Sequence, residues 1–291
     1  MSDRQITTSP HRQISGVSAE GVVDFYDTHP INEHEILNKL AAKGIVLEGL
    51  TEDALKEFDQ DHYGGFEATD ALAAAAGIRA EHRVLDVCSG MGGPARYIAY
   101  RTGCRATGID LTTSRVEGAK RLTEMVGLGD RVDFVHGDAT RMPFPDASFD
   151  RVFGQEAWVH IADKAALVGE IRRVLAPGGV LAFTDIVSIA PLTDEENAKL
   201  AAEMQFPPIV TAQRYLDELS GAGFTIDRHD DLSAEWKGIL LARLEMYRSL
   251  RDTTIAKFGE AHYEKWDRKY AAFVGLYAAD KLGGGRFVAR R

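Results

Sequence analysis

The chain has 291 residues, 45% hydrophobic and 27% charged, the balance of a soluble globular protein with room for one large domain or two small ones. A formal net charge of -10, with the basic pairs Lys120-Arg121, Arg172-Arg173 and Arg290-Arg291 isolated from one another, argues against a nucleic-acid partner, because neutralising phosphates needs clustered cations. Two cysteines, Cys88 and Cys104, offer neither a disulfide framework nor metal-ligand spacing and point to the cytoplasm, and no apolar run approaches the roughly 20 residues of a membrane span.

Met1 to Gly16 is polar, lacks an apolar signal core and reads as a loose tail. Residues 17–80 look largely helical. Glu33 to Lys43 and Thr51 to Phe58 carry apolar residues at helical spacing, and Phe66 to Ala76 is an Ala-rich helix. Phe25-Tyr26-Asp27-Thr28-His29-Pro30 and Asp59-Gln60-Asp61-His62-Tyr63-Gly64-Gly65 flank the helices. Both read either as turn chemistry or as a lid over a site in the next domain.

From residue 83 the chain alternates strand and helix, the pattern of a parallel sheet with crossovers. Strands are expected at 83–88, 105–109, 132–136, 148–153 and 180–187. A helix from Lys164 to Leu175 ends at Ala176-Pro177-Gly178-Gly179. Ser188 to Val210 reads as a long polar connection, Thr211 to Gly221 as a helix and Phe224 to His229 as a strand. Ser233 to Phe258 and Ala261 to Leu282 read as two long helices, after which Gly283-Gly284-Gly285 releases a short strand at 286–289.

The centre of the chain is Val84-Leu85-Asp86-Val87-Cys88-Ser89-Gly90-Met91-Gly92-Gly93-Pro94-Ala95. A strand, a glycine-dense turn and a helix start in that order form the place where an α/β sheet holds a nucleotide-like ligand. Asp110 ends the second strand, 24 positions after Asp86 (110 − 86), where an acid can accept from ribose hydroxyls. Gly137-Asp138-Ala139 ends the third strand and Gly154-Gln155-Glu156-Ala157-Trp158-Val159-His160 the fourth.

Taken in order and spacing, Val84 to Gly92, Gly108-Ile109-Asp110, Gly137-Asp138-Ala139, Ser148-Phe149-Asp150 and Leu175 to Gly179 resemble the class I S-adenosylmethionine-dependent methyltransferases. A nicotinamide dehydrogenase does not explain the later elements. The resemblance implies an α/β, Rossmann-like, mostly parallel seven-stranded sheet. It divides the chain into a tail and helical lid (1–80), a cofactor-binding core (81–187) and the end of the sheet with a late helical insertion (188–291). The implied cofactor is S-adenosylmethionine, with S-adenosylhomocysteine as product. Asp86, Gly90 and Gly92 are expected at its methionine end, Asp110 at the ribose, Asp138 and Ala139 at the adenine, with Leu111 and Gln155 also binding the cofactor. Cys88 replaces the first loop glycine of many members, which a small residue with ordinary φ permits.

Glu156 and His160 are the expected catalytic pair, being similar to the carboxylate and later histidine of phosphoethanolamine and sarcosine/dimethylglycine N-methyltransferases. Counting without gaps from Gly64, Gln60 stands where the phosphoethanolamine enzymes' tyrosine is expected. Tyr26, His62, Tyr63, Trp158 and Trp236 are expected around the substrate, the aromatics shielding a cation. Methylation of an amine nitrogen on a small molecule is the first expectation. Methylation of carbon, oxygen or sulfur, or cofactor binding without catalysis, are the alternatives, and oligomeric state is left open.

Overall fold

Seven strands form one sheet in the order β3-β2-β1-β4-β5-β7-β6. The computed structural model describes residues 17–27, 31–60 and 62–291. The tail (1–16), Thr28-His29-Pro30 and Asp61, all named in the sequence reading, lie outside the described residues.

In chain order the elements begin with α1 (Ala19–Asp27), α2 (Glu33–Ala42), α3 (Glu52–Leu55) and α4 (Gly65–Ala76). The alternating core follows as β1 (Arg83–Val87), α5 (Gly93–Thr102), β2 (Arg105–Asp110), α6 (Thr113–Met125), β3 (Val132–His136) and β4 (Phe149–Gln155). A 3-10 turn at Trp158–His160 leads to α7 (Lys164–Val174), β5 (Leu175–Ser188), α8 (Asp194–Met204), α9 (Ala212–Gly221) and β6 (Thr225–Asp231). The chain closes with α10 (Ser233–Ser249), α11 (Arg251–Phe258), α12 (Glu260–Ala278) and β7 (Leu282–Arg290).

Strands β1 to β5 pair in parallel, and β7 runs antiparallel between β5 and β6. Side chains of a strand alternate between its faces. Val84 therefore packs with Ala95, Ile98 and Phe134 on one face, while Leu85 and Val87 join Leu167, Ile171 and Tyr215 on the other. Strand order reverses between β1 and β4, so their carboxyl ends open the crevice where such folds bind ligands.

Three expectations need correction. The connection at 188–210 contains α8, begun by a capping box in which Thr193 Oγ1 accepts from Glu196 N and the Glu196 carboxylate from Thr193 N. The Thr-x-x-Glu signal was present in the sequence. The late helices number three, because Leu250 breaks the first after Ser249 and Gly259, at φ 87, separates the next two. The glycine run lies inside β7 rather than before it. A Cβ on Gly284 would stand 2.2 Å from the Trp236 ring, and one on Gly283 would stand 2.0 Å from Ser233 Oγ. Glycine there lets α10 lie directly on the strand.

The late helices, α8 and the end of β5 bury Val159, Ile186, Leu200, Trp236, Phe273 and Tyr277 in a cluster above the carboxyl ends of the strands. The N-terminal helices pack Ile36, Leu40 and Leu55 with Met91 and Leu122. They are also tied down by Arg96 of α5, whose Nη2 lies 2.7 Å from Asp59 and whose Nε lies 3.7 Å from Glu52, all three buried. Burial pushes the Glu52 carboxyl up to about 8 against the pull of Arg96. Both ends of the chain thus roof one crevice.

Candidate active site

A cavity of about 850 Å³ opens at that crevice. Such a volume is near the top of the range of about 300–1,000 Å³ for small-molecule sites. It runs from the β1 loop past the ends of β2 and β3 to the end of β4 and under the roof.

The β1 loop turns sharply because Cys88, Gly90 and Gly92 all have positive φ, at 66, 53 and 78. Cys88 therefore does not have the ordinary φ expected of it. Its left-handed backbone is held by hydrogen bonds from the Cys88 and Ser89 amides to the Ile109 carbonyl, at 2.8 and 3.0 Å. Gly90 faces the cavity, and its amide donates to Asp110 Oδ2 at 2.8 Å. The Thr112 amide donates to the other Asp110 oxygen at 2.9 Å. Burial raises the Asp110 carboxyl, opposed by these bonds.

Asp86 also lines the cavity, and its Oδ2 is buried without a hydrogen-bond partner. Burial, with Asp110 nearby, lifts this carboxyl well above its ordinary value. An unsatisfied buried acceptor is costly unless a cationic or donating ligand group meets it. Leu111, Asp138 and Ala139 line the far side of the cavity, where Asp138 Oδ1 accepts from the Thr140 amide at 2.8 Å. Gly92 does not line it. A Cβ there would stand 2.3 Å from Phe134 Cζ, so this glycine serves packing of the loop on β3.

At the end of β4, Gln155 and Glu156 reach into the cavity. Gln155 Oε1 accepts from Thr69 Oγ1 at 3.1 Å, and its amide nitrogen lies 3.1 Å from His62 Nδ1. Glu156 sits at φ 49, a second strained non-glycine position in the site. The Tyr63 amide donates to its Oε2 at 2.7 Å and the Thr184 hydroxyl to its Oε1 at 2.6 Å. Desolvation still prevails and raises its carboxyl from 4.5 to about 8, with Asp185 adding to the rise and Arg243 opposing it. Arg243 of α10 also donates to the His62 carbonyl at 2.8 Å and lies over the Tyr63 ring, so the 62–63 segment is clamped between roof and core.

His160 follows one turn later. Its Nδ1 is 3.0 Å from the Gln205 carbonyl, which can only accept, so Nδ1 carries the proton. Nε2 then accepts from the Tyr26 hydroxyl at 2.8 Å. Tyrosine and histidine thus meet through α1, a pairing the count from Gly64 missed. Gln60 instead bonds His62 Nε2, at 2.9 Å, and Asp59.

Tyr26, His62 and Tyr63 line the cavity, but two expected substrate residues do not. Trp158 is fully buried, stacks on Phe183 at 4.2 Å and donates its indole N–H to Val87 O. Trp236 is buried against β7 and meets Tyr63 edge-on at 4.9 Å. The cage of four aromatics is therefore not built. The cavity is instead lined by Phe25, Ile186, Met204, Phe206 and Phe273, none of them expected at the substrate from the sequence. Phe25 stands in the expected lid, Ile186 in the fifth strand, Met204 and Phe206 in a connection read as polar and Phe273 in a late helix, so no common sequence signal grouped them.

The doubly wound sheet and the acid-tipped strands around one crevice define a Rossmann-like nucleotide-cofactor protein. A methyltransferase domain profile matches residues 85–183. The sterol 24-C-methyltransferase of Eremothecium gossypii is 38% identical over 184 residues, covering 57% of this chain and 49% of that protein. The 27-O-demethylrifamycin SV methyltransferase of Amycolatopsis mediterranei is 31% identical over 208 residues, covering 70% and 76%. Among solved structures, the phosphoethanolamine N-methyltransferase 2 of Haemonchus contortus, in complex with phosphomonomethylethanolamine and S-adenosylhomocysteine, superposes with a TM-score of 0.76 at 23% identity. That match covers 93% of this chain and 60% of the other. The chain spans about half the length of the sterol methyltransferase it matches. It belongs to the class I S-adenosylmethionine-dependent methyltransferases. S-adenosylmethionine is the cofactor, and the unsatisfied Asp86 carboxylate fits a ligand bearing an ammonium group. Among the described residues no helix is long and apolar enough to cross a membrane.

Proposed function

We propose that this chain transfers a methyl group from S-adenosylmethionine to a carbon atom of a largely apolar small molecule. The observation that carries the reading is Glu156, a deep-set carboxyl in a cavity whose lining includes the apolar residues Phe25, Ile186, Met204, Phe206 and Phe273. Likeness to the sterol 24-C-methyltransferases supports it. The amine expected first from the sequence is less well served, because Trp158 and Trp236 lie in the core.

When bound, the cofactor supplies an electrophilic methyl group on a positively charged sulfur. In the reading, Asp110 accepts from its ribose, Asp138 and Ala139 meet its adenine, and Asp86 and Gly90 meet its methionine end. An acceptor that donates an electron pair from a double bond to the methyl carbon is left with a positive charge. In its ionised form, which a positive charge beside it favours, Glu156 offsets that charge, and its effect is strongest where the apolar walls exclude water. Loss of a proton from the acceptor restores neutrality. His160 Nε2, held in its accepting form by the Gln205 carbonyl, takes that proton when the Tyr26 hydroxyl turns away from it.

A second reading has its own support. The same His160, paired with Tyr26, suits deprotonation of a hydroxyl, and the rifamycin relative is named for an oxygen position. Isotope-labelled methyl transfer to a panel of sterols, prenyl compounds, phenols and amines, with NMR of the product, identifies the methylated atom directly. A methyl on carbon supports the proposal. A methyl on oxygen supports the second reading, and one on nitrogen overturns both.

A further inference from the structure

The first turn of α7 breaks a local rule. A helix N-terminus favours anions and disfavours cations, and lysine is almost never buried without partners. Yet Lys164, the first residue of α7, has a relative exposure of 6%. Asp163 already caps the helix, its side chain accepting from the Ala166 amide at 2.9 Å, so helix initiation does not need the lysine. Sequences that violate local preference in this way do so where a tertiary contact requires it.

The contact is with the turn that carries the candidate catalytic His160. Lys164 Nζ donates to the Trp158 carbonyl at 2.6 Å and to the Ile161 carbonyl. Between those residues the Val159 amide donates to Asp185 Oδ1 at 3.2 Å. The other oxygen of Asp185 accepts from the Tyr215 hydroxyl, and the Tyr215 ring centroid lies 5.7 Å from Lys164 Nζ. Asp185 and Tyr215 are fully buried. Three main-chain groups at residues 158, 159 and 161 are thus fixed from below, and His160 is the residue they bracket. Burial lowers the Lys164 ammonium to about 8, with Asp185 opposing the fall, which fits a charge retained for its contacts.

We infer that Lys164, lying over the Tyr215 ring, is the positioning residue that sets the 158–161 turn and so aims His160 at Tyr26 and the acceptor side of the cavity. Neither Lys164 nor Asp185 lines the cavity, so the lysine acts through the backbone of the turn and not on a ligand. The inference rests on the reading of His160 as the group that takes the acceptor's proton.

The test uses the whole chain with histidine ring carbons isotopically labelled, the His160 NMR signal being identified by its loss in His160→Gln. Lys164→Met keeps length and apolar bulk while removing both donors. The inference predicts a displaced His160 signal, affinity for S-adenosylhomocysteine within about twofold of wild type, and kcat lowered about tenfold or more at unchanged KM for the cofactor. A lysine that merely fills space would lower the melting temperature and leave the His160 signal in place, and that result overturns the inference. Should Lys164→Met not fold, Lys164→Gln keeps a neutral amide on a side chain one atom shorter, and the same displacement or its absence decides. The signal reports on the turn whether or not methyl transfer is observed. A displaced signal in a protein with no transfer activity therefore counts against the proposed function and leaves the role of Lys164 standing.

Discussion

The Tyr26 hydroxyl and His160 Nε2 stand 2.8 Å apart although 134 positions separate them in the chain. Further interactions hold the pair. The Gln205 carbonyl fixes the imidazole from its Nδ1 side, and the Arg115 guanidinium lies 4.5 Å from the centroid of the Tyr26 ring. The first helix is therefore part of the site.

Tyr26→Phe removes one hydrogen bond and nothing of the ring. A net loss of about 1 kcal/mol corresponds to a kcat about fivefold lower. Affinity for S-adenosylhomocysteine, measured by calorimetry, is expected to stay within about twofold. A full loss of cofactor binding would instead assign Tyr26 to the cofactor.

Glu156→Gln separates the charge of this side chain from its shape. In the folded protein the Glu156 carboxyl is raised from 4.5 to about 8, so the native state holds a proton that the unfolded chain has lost. Its contribution to stability is complete below about pH 4.5 and fades as pH rises to about 8. The glutamine variant lacks that slope. Its melting temperature relative to wild type is expected to climb between those two pH values and then level off, while kcat falls about a hundredfold. Parallel melting curves across the range would contradict the raised carboxyl.

Asp110→Ala removes the acceptor for both the Gly90 and Thr112 amides as well as the proposed ribose contact. Charge-assisted hydrogen bonds contribute about 1.5–3 kcal/mol each, so cofactor affinity is expected to fall about 10- to 100-fold. Calorimetry showing unchanged affinity would remove Asp110 from the cofactor site.

Gly92→Ala tests a packing role. The new methyl would meet Phe134 at 2.3 Å on a backbone with φ 78, so the cofactor-free protein is expected to lose about 2–3 kcal/mol of unfolding free energy. Denaturant titration measures it. Unchanged stability with weakened cofactor binding would return Gly92 to the ligand.

Periodicity alone marked the alternating strands and helices from residue 83 to 187, because side-chain burial on a pleat or a helix follows chain position directly. The acids at strand ends were legible for the same reason: a strand's carboxyl end projects whatever stands there into the crevice, so Asp86, Asp110, Asp138 and Glu156 all line the cavity. The Thr193 capping box was equally local and was passed over. Other features had no local signature. Whether an aromatic shields a ligand or fills the core depends on the surface laid over it, and β7 with α10 drew Trp236 inward while Phe183 drew Trp158. The positive φ of Cys88 follows from the Ile109 carbonyl on the neighbouring strand. The partners of His160 came from residues 26 and 205, brought together when both chain ends closed over the sheet. The sequence by itself therefore determined the family, the sheet and the acids that line the cavity. Only the tertiary structure decided which side chains complete the cavity wall, because that wall is assembled from segments distant in the chain whose meeting no local pattern encodes.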